Sequence, residues 1–452
     1  MIARKIDRYL EDFYKKGRKA LLVTGARQTG KTYSIRQMGR RMFENFVEIN
    51  FVSSPEAAGI FEGARGAEEI LFRLSAYVKT GLEKGKTLIF LDEVQACPEA
   101  VTQIKALVEE GSYRYALSGS LLGVELNSLR SEPVGYMEVK EMYPLDLEEF
   151  LGAIGLPGSV LEKVRGKWET REEVDKFVHE QLMKAFRLYL VVGGMPEVVQ
   201  TYLDSNNLRR VVEVQRSILG AYRRDIMKYR GDAKERLYIG EIFDLIAPEL
   251  NNRNKRFILK SLNEKARFSL YENSFLWLKD AGVALPTYNV EELKVPLILA
   301  KTRNLFKLFQ SDVGLLTCQL TEGIQLEILE CSRAINFGSM YENVVAQELR
   351  AHGFELYYYN SKKLGELDFV VERGGKVLPI EVKSGKDYER HNALWNVMTS
   401  VELNIESGIV FCNENVQVKG EVTYMPMYMV MFLERGELGD VEYKLDLSGL
   451  EG

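Results

Sequence analysis

Residues 20–32 read ALLVTGARQTGKT. An apolar run gives way at Gly25 to eight residues, Gly25-Ala26-Arg27-Gln28-Thr29-Gly30-Lys31-Thr32, that fit the pattern G-x-x-x-x-G-K-[ST]. The run YSIRQMGRRM at 33–42 follows and suits a helix. Strand, glycine-rich loop and helix in this order make a phosphate cradle. The glycines let the chain curl until successive N–H groups and the helix N-terminus point at phosphate oxygens, where the helix dipole adds favourable potential. Lys31 is expected to reach the β- and γ-phosphates of ATP, and the Thr32 hydroxyl to ligate Mg2+.

Working outward, three more apolar runs alternate with helix-compatible segments: NFVEINF at 45–51, TLIFLDE at 87–93 and YRYALSG at 113–119. Short strands apolar on both faces, separated by helices, predict a parallel sheet covered on each side. The third strand ends in Asp92 and Glu93. Asp92 is the expected partner of Thr32 in holding magnesium, and Glu93 the general base that polarises the attacking water. The fourth strand ends in Ser118-Gly119-Ser120, which between neighbouring strands would lie between phosphate and water, where a polar side chain such as Ser118 senses the γ-phosphate. Arg114 and Arg130 are candidates to reach the phosphate of a neighbouring subunit in a homo-oligomer.

At 452 residues the chain exceeds one hydrophobic core, and roughly 150 residues per domain suggests about three. Its hydrophobic fraction of 46% and charged fraction of 28% are those of a folded globular protein. Cys97, Cys318, Cys331 and Cys412 are too scattered for a zinc site or a disulfide framework. The N-terminal stretch IARKIDRYLEDFYKK has an amphipathic helical pattern and not the apolar core of a signal peptide, and no later stretch is long and apolar enough for a membrane span. The expected setting is the cytoplasm, with no membrane partner. The net charge of -5 excludes a protein that coats nucleic acid over its whole surface, but basic residues concentrate at 209–230 and 251–267.

The pattern divides the chain into a parallel-sheet ATPase domain at 1–150, a helical lid at 151–230, a winged-helix-like domain at 231–335 and a further α/β unit at 336–452. Two helices are expected between Glu235 and Arg267 and a third from Ser269 to Gly282. VALPTYNV and VPLIL then form a hairpin that could serve as a wing. Arg253, Lys255, Arg256, Lys260, Lys265 and Arg267 fit salt-sensitive contacts to DNA phosphates, or stand simply solvated on a protein-interaction module.

In the last unit, strands ELYYYN, GELDFVVE, VLPIEVK, GIVFC and VTYMPMYMV are expected. Gly374-Gly375 signals a two-residue hairpin turn. Pairing across that turn sets Asp368 opposite Glu381 and Glu366 opposite Lys383, all on one face. Opposed carboxylates repel unless a cation such as Mg2+ sits between them. The alternative is a solvated face with a Glu366–Lys383 ion pair.

Taken together, these residues resemble AAA-superfamily ATPases with a C-terminal domain of unknown function that ends in a restriction-endonuclease-like fold. GARQTGKT, LIFLDEVQ at 88–95, SGS at 118–120, YPLDLEEFL at 143–151, GGMPE at 193–197, YEN at 341–343, ELDFV and IEVK carry the likeness. It implies an α/β protein that binds and hydrolyses ATP with Mg2+. It also implies a C-terminal site of Glu342, Asp368, Glu381 and Lys383 in which carboxylates bind metal and the lysine positions water. The leading reading is an ATPase whose nucleotide state controls engagement of DNA; a nucleotide-gated protein-interaction switch and an ATP-regulated nuclease are the alternatives.

Overall fold

The computed structural model describes residues 2–79, 81–120, 135–229, 231–252, 255–264, 267–320, 323–332, 335–436 and 443–445. Its first 150 residues build a five-stranded, wholly parallel sheet. The strands are β1 (Ala20–Thr24), β2 (Asn45–Asn50), β3 (Thr87–Asp92), β4 (Arg114–Ser118) and β5 (Met137–Glu141), in the order β2-β3-β4-β1-β5. The four apolar runs read from the sequence are the first four strands. β5, with burial confined to its ends, carried no such signal. Successive side chains point to opposite faces. Leu21, Val23, Leu88 and Phe90 therefore pack under α1 (Lys5–Lys16) and α2 (Lys31–Met42), while Ala20, Leu22, Ile89 and Leu91 pack under α3 (Ala67–Tyr77) and α4 (Pro98–Glu110). The central position of β4 brings the C-terminal ends of β1, β4 and β3 side by side, with Leu117 paired to both Leu22 and Leu91.

Helices follow: α5 (Leu147–Ala153), α6 (Gly158–Thr170), α7 (Lys176–Val192), α8 (Pro196–Ser205), α9 (Leu208–Lys228), α10 (Ala233–Asn251) and α11 (Phe268–Asp280). Among the described residues between Glu235 and Arg267, one long helix and a 3-10 turn at Leu259–Ser261 stand in place of the two helices expected.

The remainder forms an eight-stranded mixed sheet, order β12-β13-β11-β10-β9-β8-β6-β7. Its strands are β6 (Ala284–Val290), β7 (Lys301–Gln310), β8 (Tyr357–Ser361), β9 (Gly365–Arg373), β10 (Lys376–Val382), β11 (Gly408–Cys412), β12 (Gln417–Lys419) and β13 (Val422–Pro426). Helices α12 (Val313–Cys318), α13 (Ile324–Leu329), α14 (Gly338–Ala351) and α15 (Asn392–Met398) lie between them in sequence.

Three expectations are corrected here. VALPTYNV does not pair with VPLIL, whose last residues wind into a 3-10 turn at Leu297–Ala300. It pairs antiparallel with Lys301–Gln310 and parallel with β8, so it is an interior strand of the large sheet and not a free wing. The expected boundary between 335 and 336 consequently falls inside a unit that one sheet holds together. The last strand stops at Pro426, which has no N–H to extend the ladder, and Met427–Phe432 turns into a fully buried 3-10 helix. One apolar core runs from Leu145 through the helices to Leu433, shared by the helical region and the sheet.

Candidate active site

The strand β1 releases the chain into the 25–32 loop, and α2 receives it with Gly30 as its N-cap. Gly25 (φ 131°) and Gly30 (φ 100°) lie in the region that favours glycine. A Cβ on Gly25 would also stand 2.1 Å from the Met142 carbonyl oxygen, so the close approach of the loop to the end of β5 requires glycine here. Lys31 is buried; its ammonium donates to the carbonyls of Gly25 (2.9 Å) and Ala26 (2.7 Å), and burial lowers its pKa to about 8. Thr29, fully buried, donates to the Ala26 carbonyl at 3.0 Å, and Arg4 donates to the Thr29 carbonyl.

At the end of β3, Asp92 is a hub. The Thr32 hydroxyl donates to it at 3.0 Å, Asn50 donates at 2.8 Å from the end of β2, and Ser118 donates from the end of β4. The carboxylate of Glu93 accepts from Gln95 and, at 3.2 Å, from Ser120. Arg27, Lys31, Thr32, Glu93, Ser120 and Glu197 all face one cavity of about 710 Å³. Ser118 is turned onto Asp92 and does not line that cavity; Ser120 does. Ser120 belongs to the Ser118-Gly119-Ser120 strand end read from the sequence; Asn50 is not read there, although a polar residue closing a parallel strand beside β3 is the signal that marks it. Arg114 opens the central strand β4, at the end of the strands away from the loop, and Arg130 lies outside the described residues.

Elements beyond the sheet grip the loop. Asp225 on α9, mostly buried, accepts from Arg27 at 2.7 Å, and the Tyr222 hydroxyl donates to the Arg27 carbonyl at 3.2 Å. Gly282, in the turn between α11 and β6, lies so near the loop that a Cβ there would meet the Ala26 nitrogen at 2.9 Å. The GGMPE stretch has an equally specific cause. A Cβ on Gly193 would stand 2.3 Å from Asp312, and one on Gly194 would stand 2.0 Å from the Leu145 carbonyl oxygen.

Residues 17–151 match the family model described as an AAA domain. The chain carries an AAA-type P-loop ATPase domain. This domain binds and hydrolyses ATP, and it is followed by two stretches, 183–324 and 337–430, that match models described only as domains of unknown function (DUF8612 and DUF4143). No curated protein matches the sequence. Among solved structures, the chain is similar to the Walker-type ATPase of Pyrococcus abyssi at 14% identity and TM-score 0.42, with 71% of this chain and 96% of that chain covered. It is similar to the Aeropyrum pernix ORC1 protein in complex with DNA at 15% identity and TM-score 0.28, covering 73% and 94%. A third is the Thermotoga maritima RuvB Holliday junction branch migration motor, at 13% identity and TM-score 0.31, covering 68% and 92%. No helix among the described residues of the chain is long and apolar enough to cross a membrane.

The C-terminal residues named from the sequence are also brought together. Gly374 and Gly375, both at positive φ, make the two-residue turn, and the register runs from Lys376↔Arg373 to Ile380↔Phe369 as expected. Asp368 and Glu381 then lie close enough to interact; burial, and next the Asp368 charge, push Glu381 up to about 8. Glu366 does not face Lys383. β10 ends at Val382, after which the Lys383 amide turns to the Phe411 carbonyl on β11, and its ammonium takes Glu381 at 2.7 Å. Glu366 instead accepts from Arg256 and Lys307, each at 3.0 Å. Lys255 pairs with Glu342. Two residues expected on a DNA face, Lys255 and Arg256, thus turn inward onto carboxylates; Arg253 and Lys265 lie outside the described residues. Lys307, unanticipated and 1% exposed, stands in the middle of the group.

Proposed function

We propose that this protein is a magnesium-dependent ATPase in which α9 carries the state of the nucleotide site to a DNA backbone bound along its outer face. The observation that carries the reading is the double hold of α9 on the phosphate loop, through Asp225 to Arg27 and through Tyr222 to the Arg27 carbonyl.

Within the site, Gly25 to Thr32 form the phosphate cradle and Lys31 supplies its mobile charge. The clustered oxygens of Thr32 and Asp92, steadied by Asn50 and Ser118, suit a hard cation and would hold Mg2+. When bound, that ion supplies neutralisation of the charge developing on the phosphates. Glu93, held toward the cavity by Gln95 and Ser120, orients water and takes its proton. A change in loop geometry between nucleotide states moves Arg27, and Arg27 moves α9.

The outer face of α9 fits a polyanion. Arg209, Arg210, Arg216, Arg223, Arg224 and Lys228 are exposed and, at 100° per residue, fall within an arc of about 140°. A helix of 21 residues spans about 31 Å, close to one turn of duplex DNA. Arg223 is tied to Asp244 and Arg209 to Glu213, both at the surface where ion pairs exchange readily. The deciding experiment is the ATPase rate with and without single- and double-stranded DNA over a range of salt. A rate or a DNA retention that falls with salt, and is lost when Arg210, Arg224 and Lys228 are reversed in charge, supports the reading. Salt-independent behaviour with no DNA effect would transfer the role of α9 to a protein partner.

A further inference from the structure

A nuclease-like reading of the C-terminal sheet requires a divalent cation among Glu342, Asp368 and Glu381, and the residues present do not fit one. Lys307 is 1% exposed, and its ammonium lies 3.0 Å from Glu366, 3.5 Å from Glu342 and 3.9 Å from Asp368. It reaches the group from β7, and the ring of Tyr358 flanks it with its centroid at 5.2 Å. We infer that Lys307 is the resident cation of this carboxylate cluster, which is therefore a metal-free electrostatic lock joining β7, α14, β9 and β10 and not a catalytic metal centre.

Three observations lead there. The first is position: one tetrahedral ammonium already points at carboxylates from two different elements, Glu342 on α14 and the Glu366–Asp368 pair on β9. A magnesium ion needs about 2.0–2.1 Å to each oxygen and a near-octahedral shell, which the lysine side chain obstructs. The second is charge. Glu342, Glu366, Asp368 and Glu381 are met by Lys255, Arg256, Lys307 and Lys383, so the cations already match the carboxylates in number. A divalent ion would add two positive charges to a buried site that has no excess negative charge to receive them. The third is enclosure: Glu342 and Glu381 are 2% and 3% exposed, which leaves little room for the waters that complete a magnesium shell. Burial works against the charge on Lys307, but Glu342, Asp368 and Glu366 together more than offset it and keep the ammonium protonated.

The inference is independent of the ATPase reading, and so is its test. Mn2+ binding to the full chain without nucleotide is followed by electron paramagnetic resonance. The wild type should show no Mn2+ uptake that depends on Asp368, so that Asp368→Asn leaves its titration unchanged. Lys307→Met, which removes the ammonium and keeps the apolar stem, should gain one Mn2+ per chain and lose it again when combined with Asp368→Asn. Should Lys307→Met fail to fold, the wild type still decides. The 15N resonance of the Lys307 ammonium, identified by its absence from the soluble Lys307→Arg protein, should stay sharp when Mn2+ is added. Asp368-dependent Mn2+ binding by the wild type, paramagnetic broadening of Lys307, or a folded Lys307→Met protein that gains no site would each overturn the inference.

Discussion

The amide of Gly194 donates to the carboxylate of Asp312 at 2.6 Å, joining the loop between α7 and α8 to the segment that leaves the edge strand β7. The other oxygen of Asp312 accepts from Leu315 at 2.9 Å and caps α12. The residue is fully buried, and burial raises its pKa to about 6.

Asp312→Asn keeps the shape but turns an amide toward at least one backbone donor. A buried N–H left without an acceptor costs about 1–3 kcal/mol, so the variant should unfold at lower urea. The pH dependence has a definite sign. The folded pKa lies above the ordinary value near 3.9, so this group contributes stability that is complete below about pH 4 and is lost as pH rises through 6. The asparagine variant lacks that titration. The stability gap between the two proteins should be widest near pH 4 and narrow above 6; a gap that widens with pH would show that ionised Asp312 is the stabilising form.

Lys31→Ala removes the side chain that reaches from α2 over the loop carbonyls. Nucleotide titration should show weakened ATP binding, and turnover should fall below detection. Retained affinity and rate would place the working site elsewhere.

For Glu93→Gln, ATP binding should persist while hydrolysis slows by about 100-fold or more, since the base is lost and Asp92 is untouched. The comparison is a single-turnover rate at saturating ATP. Asp92→Asn should behave differently, losing magnesium dependence along with rate, because Thr32, Asn50 and Ser118 all converge on that carboxylate.

Asp225→Asn removes the charge opposite Arg27 and leaves the rest of the nucleotide cavity in place. Coupling between sites is typically worth about 1–3 kcal/mol, a factor of roughly 5–150. On the proposed coupling to DNA, the variant should keep basal turnover and lose stimulation by DNA by a factor in that range. Equal loss of both would mean that Asp225 serves only to hold the loop.

Most of the nucleotide region was legible because its information is local. A glycine loop, a strand ending in Asp92-Glu93 and the alternation that sends Leu21 and Leu22 to opposite faces are each contained within a few residues. The C-terminal register was legible for the same reason: Gly374-Gly375 fixes the pairing of its two flanking strands, out to Ile380 and Phe369. What escaped is long-range. Gly194 and Asp312 are 118 residues apart, and Arg27 and Asp225 are 198 apart. Strand β7 was missed because KTRNLFKLFQ is exposed in its first half and buried in its second, so neither alternation nor a continuous apolar run marks it. Lys307 within it looks like an ordinary solvated lysine until Glu342 and Glu366 are brought against it by segments more than 30 residues downstream. The inward turn of Lys255 and Arg256 has the same origin.

The placement of β6 between β7 and β8 governs how the chain can be cut and in what sequence it can assemble. A fragment ending before residue 357 would contain β6 with one side of its ladder bare, and an unpaired interior edge is a template for association with other chains. A fragment starting at 336 would have the complementary defect along β8. During synthesis the β6–β7 pair, complete at Gln310, waits a further 47 residues, to Tyr357, before its parallel partner begins to emerge. The helical region and the sheet are thus expected to be expressible together and insoluble apart, and the useful place to divide this protein is ahead of the helices and not between them and the strands.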